Sequence, residues 1–172
     1  MLLMKPRIAS FAPVGLPSAR ILILGSIPGE ASLAANQYYA HPRNAFWPIM
    51  AELLGFAPDT AYAERLEALQ HANITLWDVL HSCHRKGSLD AAIESDSVEV
   101  NDFDGFFAEH PDIKLVCFNG AIAERSYRQH VLRQGKHVAL QYVRLPSTSP
   151  AHAALSLQQK KEIWREALMQ HC

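Results

Sequence analysis

The sequence contains few cysteines, and that scarcity limits the metal and disulfide chemistry open to it. Only three occur in 172 residues, Cys83, Cys117 and Cys172. They are too few and too widely spaced for a disulfide framework, a Cys-x-x-Cys zinc site or a four-cysteine iron–sulfur cluster. We therefore predict a protein that uses no metal ion and no other cofactor.

Long apolar runs and an excess of charge of either sign are also missing. No stretch approaches the roughly 20 apolar residues of a membrane-spanning helix, and Lys5, Pro6 and Arg7 interrupt any signal-like run. The 16 basic and 17 acidic residues nearly balance, whereas domains that coat DNA are usually basic overall. We expect a cytoplasmic protein without membrane contact, and any DNA contact through a local patch.

Length and hydrophobic pattern predict one α/β domain over residues 1–172, since a chain of this size buries one substantial core. Short apolar runs predict four strands, at residues 20–25, 74–78, 115–118 and 140–145. Helical spacing predicts helices at residues 44–54, 60–71, 102–109, 120–132 and 156–170. The alternation is typical of a three-layer αβα sandwich around a four-stranded, mainly parallel sheet.

A long polar connection separates the second predicted strand from the next helix, between Asp78 and Val100. It is too long for a plain turn, which indicates either a functional loop or a mobile one. Arg85 and Lys86 within it are ordinarily a solvated charge pair. At a binding edge they would instead contact a DNA backbone, although the acidic residues nearby weaken that hypothesis.

Two loops at predicted strand ends have an unusual composition. The first strand leads into Gly25-Ser-Ile-Pro-Gly29 and then into Gln37-Tyr-Tyr-Ala-His-Pro-Arg-Asn-Ala-Phe-Trp47. The spacing matches neither a dinucleotide-binding nor a nucleoside-triphosphate loop. After the fourth strand, residues 145–152 read Leu-Pro-Ser-Thr-Ser-Pro-Ala-His, where two prolines fix the backbone and three hydroxyls suit a phosphate.

In these loops the sequence resembles the uracil-DNA glycosylase superfamily. Gly25 to Gly29 is similar to its first motif, and Pro146 to His152 stands where its second motif is found. The order of elements matches over roughly the whole chain, while the specific signal lies in the two loops.

Departures from the superfamily pattern narrow the resemblance to its hypoxanthine-DNA glycosylase branch. Ile27 stands where mismatch-specific members carry a catalytic Asn, and Leu145 replaces the usual polar residue at the start of the second motif. In the hypoxanthine branch, the resemblance implies, the catalytic amide is an Asn further downstream. We match that residue to Asn44.

The resemblance implies roles for further residues, each with a structural alternative. Asn44 either orients the attacking water or caps the next helix. Tyr39 either stacks on a flipped base or belongs to the core, and Asn119 either recognises the base or supports the loops. The other members of the predicted base pocket are Ser26, Ile27 and Pro28. The predicted DNA contacts are Ser32, Ser147, Thr148, Ser149 and His152.

The function expected from these residues is monofunctional hydrolysis of the N-glycosidic bond of deaminated bases, chiefly hypoxanthine, by a monomer acting on DNA. The base must leave the duplex to be reached. Alternatives are a uracil, xanthine or mismatch-specific glycosylase. A catalytically weak nucleic-acid-binding domain of the same fold is the alternative that Ile27 and Leu145 favour.

Overall fold

The computed structural model describes residues 6–134 and 139–171, and within them the chain forms seven strands and six α-helices. The strands are β1 (Arg7–Ala9), β2 (Ile21–Gly25), β3 (Ile74–Asp78), β4 (Leu80–His84), β5 (Glu99–Val100), β6 (Leu115–Asn119) and β7 (Gln141–Leu145). The helices are α1 (Glu30–Ala35), α2 (Phe46–Leu54), α3 (Tyr62–His71), α4 (Phe103–Glu109), α5 (Ala121–His130) and α6 (Leu157–Met169). Cys172 and the first five residues, on which the predictions above also drew, lie outside the described residues.

The main sheet is parallel, with strand order β3-β2-β6-β7. Alternate residues of a strand face opposite sides of its sheet, and β2 supplies both cores. Leu22 and Leu24 pack with α4 and α5, whereas Ile21 and Ile23 pack with α2, α3 and α6. Helices therefore cover both faces, as the predicted αβα sandwich requires.

The long polar connection is where the structure departs most from the prediction. It contains β4, two 3₁₀ turns and β5, and β4 pairs with β1 and β5 in a second, antiparallel sheet. The buried hydroxyl of Ser82 is satisfied by distant residues: the Arg7 guanidinium donates to Ser82 Oγ (2.7 Å), and Ser82 Oγ donates to Glu99 (3.0 Å). These long-range bonds let a polar segment form a buried strand.

Other differences are small. The predicted helices and strands are present with ends shifted by one or two residues, the usual uncertainty of helix ends. Helix α1 was not predicted, because only Ser32 of its six residues is buried and so short a helix shows little periodicity. No helix in the described part of the chain is long and apolar enough to cross a membrane.

Candidate active site

All four parallel strands end at one edge of the main sheet, and the predicted site residues follow those ends. In the strand register Gly25 stands beside Asp78, and Asn119 stands beside Leu145. Ligands of open parallel sheets bind outside this carboxyl edge. The edge therefore collects the Gly25–Gly29 loop, the β3 end and the loop after β7.

The Gly25–Gly29 loop is held by the segment after β4. Ser26 Oγ donates a hydrogen bond to Asp90 Oδ1 (2.6 Å), and Arg85 Nη2 donates to the Pro28 carbonyl (2.8 Å). Ile27 is 7% exposed and belongs to the apolar cluster under α4 and α5. The Ser26 hydroxyl and the Ile27 side chain of this predicted base pocket thus face the protein interior, and residue 27 is apolar because it packs in the core.

The structure contradicts both hypotheses for Arg85, the solvated charge and the DNA contact. Its side chain is 1% exposed, so it is neither a solvated charge nor a DNA contact at the surface. Besides Pro28, it donates through Nε to the Gly87 carbonyl (2.7 Å). Lys86 beside it is exposed. Arg85 therefore fixes the Gly25–Gly29 loop to the segment that carries Asp90.

Tyr39 lies in a strained turn directly above this loop. Its φ of 55° is in the left-handed region that non-glycine residues rarely adopt, and its ring stacks on Phe46 with 4.2 Å between centroids. Ser32 Oγ accepts a hydrogen bond from the Ala40 amide (3.1 Å) and so supports the turn. Ser32 is 7% exposed, and its hydroxyl serves the loop rather than the surface.

The Tyr39 hydroxyl is buried and makes no hydrogen bond of ordinary geometry within the described residues. Burial raises the pKa of this phenol, the charge of Asp78 raises it further, and the nearby Asn119 side chain opposes the rise. Tyr39 therefore stays protonated and keeps a donor hydrogen at the carboxyl edge of the sheet.

Asn44 stands at the start of α2 on a cleft of about 330 Å³. Its Oδ1 accepts a hydrogen bond from the Phe46 amide (2.9 Å), which is the turn that precedes a helix. Tyr39, His41 and Arg65 are among the other residues that line the cleft. The structure thus brings Asn44 and Tyr39 together, while Ser26, Ile27, Pro28 and Asn119 do not line this cleft.

The loop after β7 is tied to both β6 and α2. Asn119 Nδ2 donates to Thr148 Oγ1 and Asn119 Oδ1 accepts from the Thr148 amide, each at 2.9 Å. The Thr148 carbonyl accepts from the Ala45 amide (2.9 Å), next to Asn44. Thr148 is 1% exposed, so its side chain joins loops and is not open to a phosphate.

The remaining predicted DNA contacts lie nearer the surface. Ser147 and Ser149 are half-buried and each accepts a bond from an amide two residues on, whereas His152 is exposed. Helix α6 supports their backbone: Trp164 Nε1 donates to the Pro146 carbonyl (2.9 Å), and Lys160 Nζ donates to the His152 carbonyl (2.7 Å). This edge of the loop is therefore rigid and solvent-accessible.

Sequence reasoning missed a buried acidic group where the outer strand β3 ends. Asp78, at the end of β3, is 4% exposed, and its Oδ1 lies 2.6 Å from the point where a Cβ on Gly25 would stand. Burial raises the pKa of Asp78 to about 7, the charge of Asp90 adds to the rise and Arg85 opposes it. The available signal was an acid ending an otherwise apolar strand run, Ile74 to Asp78.

The described residues contain no group of three or more His, Cys, Asp or Glu side chains placed to hold a metal ion. Cys83 and Cys117 are both buried, and neither forms a disulfide within the described residues. The polar groups at the carboxyl edge are hydroxyls, amides and the carboxyls of Asp78 and Asp90. What this arrangement offers is hydrogen bonding, orientation of water and proton transfer.

Comparison with known proteins identifies the family. Residues 12–168 match the family model described as the uracil DNA glycosylase superfamily. The chain belongs to this superfamily. The fold is also similar to that of a solved structure. The solution NMR structure of a protein from Methanosarcina acetivorans, described as a candidate uracil DNA glycosylase, superposes on this chain with a TM-score of 0.76 at 33% identity. The match covers 95% of this chain and 99% of that one.

Two curated relatives of this chain are named hypoxanthine DNA glycosylase. The protein from Methanosarcina acetivorans is 37% identical over 155 residues, covering 90% of this chain and 92% of the relative. The protein from Methanosarcina barkeri is 37% identical over 158 residues, covering 91% and 95%. The similarity therefore extends over nearly the whole of each protein.

Proposed function

We propose that this superfamily member is a monofunctional DNA glycosylase that removes hypoxanthine from deoxyinosine in DNA, a step of base excision repair. The observation that carries the proposal is that Asn44 and Tyr39 line one cleft, while the Tyr39 hydroxyl approaches Gly25 where β2 ends. The names of the two Methanosarcina relatives support hypoxanthine as the base.

Asn44 acts by positioning water. Its Oδ1 uses one lone pair for the Phe46 amide, and a carboxamide oxygen has a second. A water held by that lone pair and directed at C1′ attacks as the base departs. An amide is a poor base, so its contribution comes from orientation.

The flipped nucleotide is received between Tyr39 and the Gly25–Gly29 loop. Tyr39 supplies the aromatic face, and stacking of this kind contributes about 1–3 kcal/mol per base. The side chains of Ser26 and Ile27 pack inward, so the Ser26–Pro28 segment offers its backbone as the wall of the pocket, and Asn119 supports the site through Thr148. A deaminated base pairs weakly in the duplex, so its flipping costs less than that of a normal base.

The DNA backbone is bound by a small surface. Ser147, Ser149 and His152 face the strand, while Ser32 and Thr148 hold the loops that present them. We place the enzyme in the cytoplasm as a single-domain monomer that needs no cofactor. Its partner is DNA containing deaminated bases.

The observation that favoured a catalytically weak binding domain has a structural explanation. Ile27 and Leu145 are 7% and 2% exposed, and they pack in the two apolar clusters on opposite faces of the sheet. Their apolar character serves the core, so it does not indicate a lost catalytic group. Uracil and xanthine glycosylase activities are tested together with hypoxanthine below.

The experiment is a panel of end-labelled duplexes carrying inosine, uracil, xanthine or a G·T mismatch. Each is incubated with excess enzyme, and half of each sample is then treated with alkali. We expect the inosine strand to be cut fastest and only after alkali, since a monofunctional enzyme leaves an abasic site. Excision of uracil without any excision of hypoxanthine would overturn the proposed substrate, and cutting without alkali would overturn the monofunctional mechanism.

A further inference from the structure

One side-chain oxygen of Asp78, buried where the parallel strands end, has no hydrogen-bond partner within the described residues. This atom is Oδ2, and the Asp78 side chain is 96% buried (4% exposed). Buried polar atoms in native proteins are almost always hydrogen-bonded. An exception at a ligand-binding edge indicates an atom whose partner is supplied by the substrate.

The other carboxyl oxygen of Asp78, Oδ1, approaches Gly25 together with the Tyr39 hydroxyl. These two oxygens lie 2.6 Å and 3.1 Å from the same point, the position of a Cβ on Gly25. The Tyr39 oxygen is also buried and has no hydrogen bond of ordinary geometry within the described residues. Only a glycine fits between them, which keeps an acid and a phenol side by side where β2 ends.

Four charged or titratable groups face Asp78: Asp90 and Arg85 from the segment after β4, and Tyr38 and Tyr39 from the turn between α1 and α2. Burial raises the pKa of Asp90 as well, but the hydrogen bond from the Ser26 hydroxyl and the charge of Arg85 oppose that rise. Asp78 has no such donor on Oδ2. Of the two neighbouring carboxyls, Asp78 is the one that retains a proton near neutral pH.

A purine leaves deoxyribose more easily when its ring nitrogen N7 accepts a proton, because the electron pair of the broken C1′–N9 bond then enters a positively charged ring and the base departs as a neutral molecule. Water orientation by Asn44 does not supply this proton. A protonated carboxyl group does, and general acid catalysis of this kind contributes typically 10²–10⁴-fold to a rate.

We propose that Asp78 is the general acid of the reaction and transfers its Oδ2 proton to N7 of the departing hypoxanthine. The C1′–N9 bond breaks, hypoxanthine leaves as a neutral base, and the water oxygen bonds to C1′. The water proton passes to solvent, and the Asp78 carboxylate takes up a proton again before the next cycle. This inference rests on the proposed function, since it concerns the same reaction.

The step also requires movement. Because Asp78 is 4% exposed, a flipped base reaches Oδ2 only when Tyr39 or the segment carrying Asp90 moves aside. The Ser26–Asp90 and Arg85–Pro28 hydrogen bonds hold that segment against the Gly25–Gly29 loop.

The test is single-turnover excision of hypoxanthine between pH 5.5 and 9 by the parent enzyme, by Asp78→Asn and by Asp102→Asn. Asp102 caps α4 by accepting from the Gly105 amide (3.0 Å), a role that asparagine fills as well, so this variant controls for the Asp-to-Asn change itself. Far-ultraviolet circular dichroism and affinity for a duplex with a tetrahydrofuran abasic-site analogue establish that each variant is folded and binds DNA.

We expect the parent rate to fall tenfold per pH unit once the pH exceeds the pKa of the acid. Asp78→Asn should be at least 10²-fold slower at pH 6 and independent of pH, with DNA affinity within threefold of the parent. Asp102→Asn should follow the parent. Where Asp78→Asn does not fold, the parent profile decides alone.

Two outcomes overturn the inference while the proposed function stands. One is a parent rate that does not fall between pH 6 and 9. The other is a folded Asp78→Asn that excises hypoxanthine at the parental rate. An enzyme that excises no hypoxanthine at any pH would instead overturn the proposed function.

Discussion

Asn44 has two separable roles in this structure, and a pair of substitutions separates them. Its Oδ1 accepts the Phe46 amide at 2.9 Å, and the same carboxamide is proposed to hold the attacking water. Asn44→Ala removes both functions. Asn44→Ser keeps a hydroxyl able to accept from the amide two residues on, more weakly, but has no carboxamide to orient the water.

The size of each loss follows from the contacts. Removing a side-chain acceptor at a helix start costs about 1 kcal/mol of unfolding free energy, which is roughly 2–4 °C in the melting temperature of a protein of this size. The effect is local, because the Ala45 amide stays bound to the Thr148 carbonyl. Losing a water-positioning group slows the chemical step by roughly 10²-fold, equivalent to about 2.7 kcal/mol of activation free energy.

We therefore expect Asn44→Ala to melt a few degrees lower and to excise hypoxanthine at least 10²-fold more slowly in single turnover. Asn44→Ser should be similarly slow while melting close to the parent temperature. Affinity for an abasic-site analogue should change little for either variant. If Asn44→Ser works at the parental rate, or Asn44→Ala loses only stability, Asn44 is a helix cap and the water is held elsewhere.

Three further predictions follow from the site. Chelator should leave the excision rate unchanged, because the proposed chemistry needs no metal, and a loss in EDTA that zinc or magnesium restores would contradict this. Gly25→Ala should lower the unfolding free energy in urea by roughly 1–3 kcal/mol, since its Cβ would meet Asp78 at 2.6 Å; parental stability would show that the neighbours yield freely. The pKa of Asp78 is about 7 in the folded protein and ordinarily 3.8, so the folded state holds that proton more tightly. The unfolding free energy, relative to that of Asp78→Asn, should therefore fall by about 1.4 kcal/mol per pH unit as pH rises from about 4 to about 7. Parallel curves of unfolding free energy against pH for the two proteins would refute this.

The sequence by itself predicted the features that depend on neighbours along the chain. Three strands of the main sheet, β2, β3 and β6, are buried and read as largely apolar runs, because parallel strands covered on both faces carry apolar residues. The fourth strand, β7, is partly exposed and carries Gln141 and Arg144. Asn44 stood out for the same local reason, since helix starts and motif spacing are both written within a few residues. The family resemblance drew on such short segments, and the match over residues 12–168 confirmed it.

The antiparallel sheet could not be predicted, because its stability comes from distant partners. The run Leu80 to His84 looks like a polar loop until Arg7 and Glu99 are placed beside Ser82. A segment whose polar groups are satisfied by residues about 75 and 17 positions away carries no local strand pattern.

The chemistry at the carboxyl edge was likewise decided by tertiary structure. Arg85 reads as a surface charge in the sequence, yet it is buried against the Pro28 carbonyl, 57 positions away. Asp78 is an unremarked acid until the strand register sets it beside Gly25 and burial removes the water that would keep it ionised. Residue types are local properties, whereas burial and proximity, which set a pKa, exist only once the chain has folded.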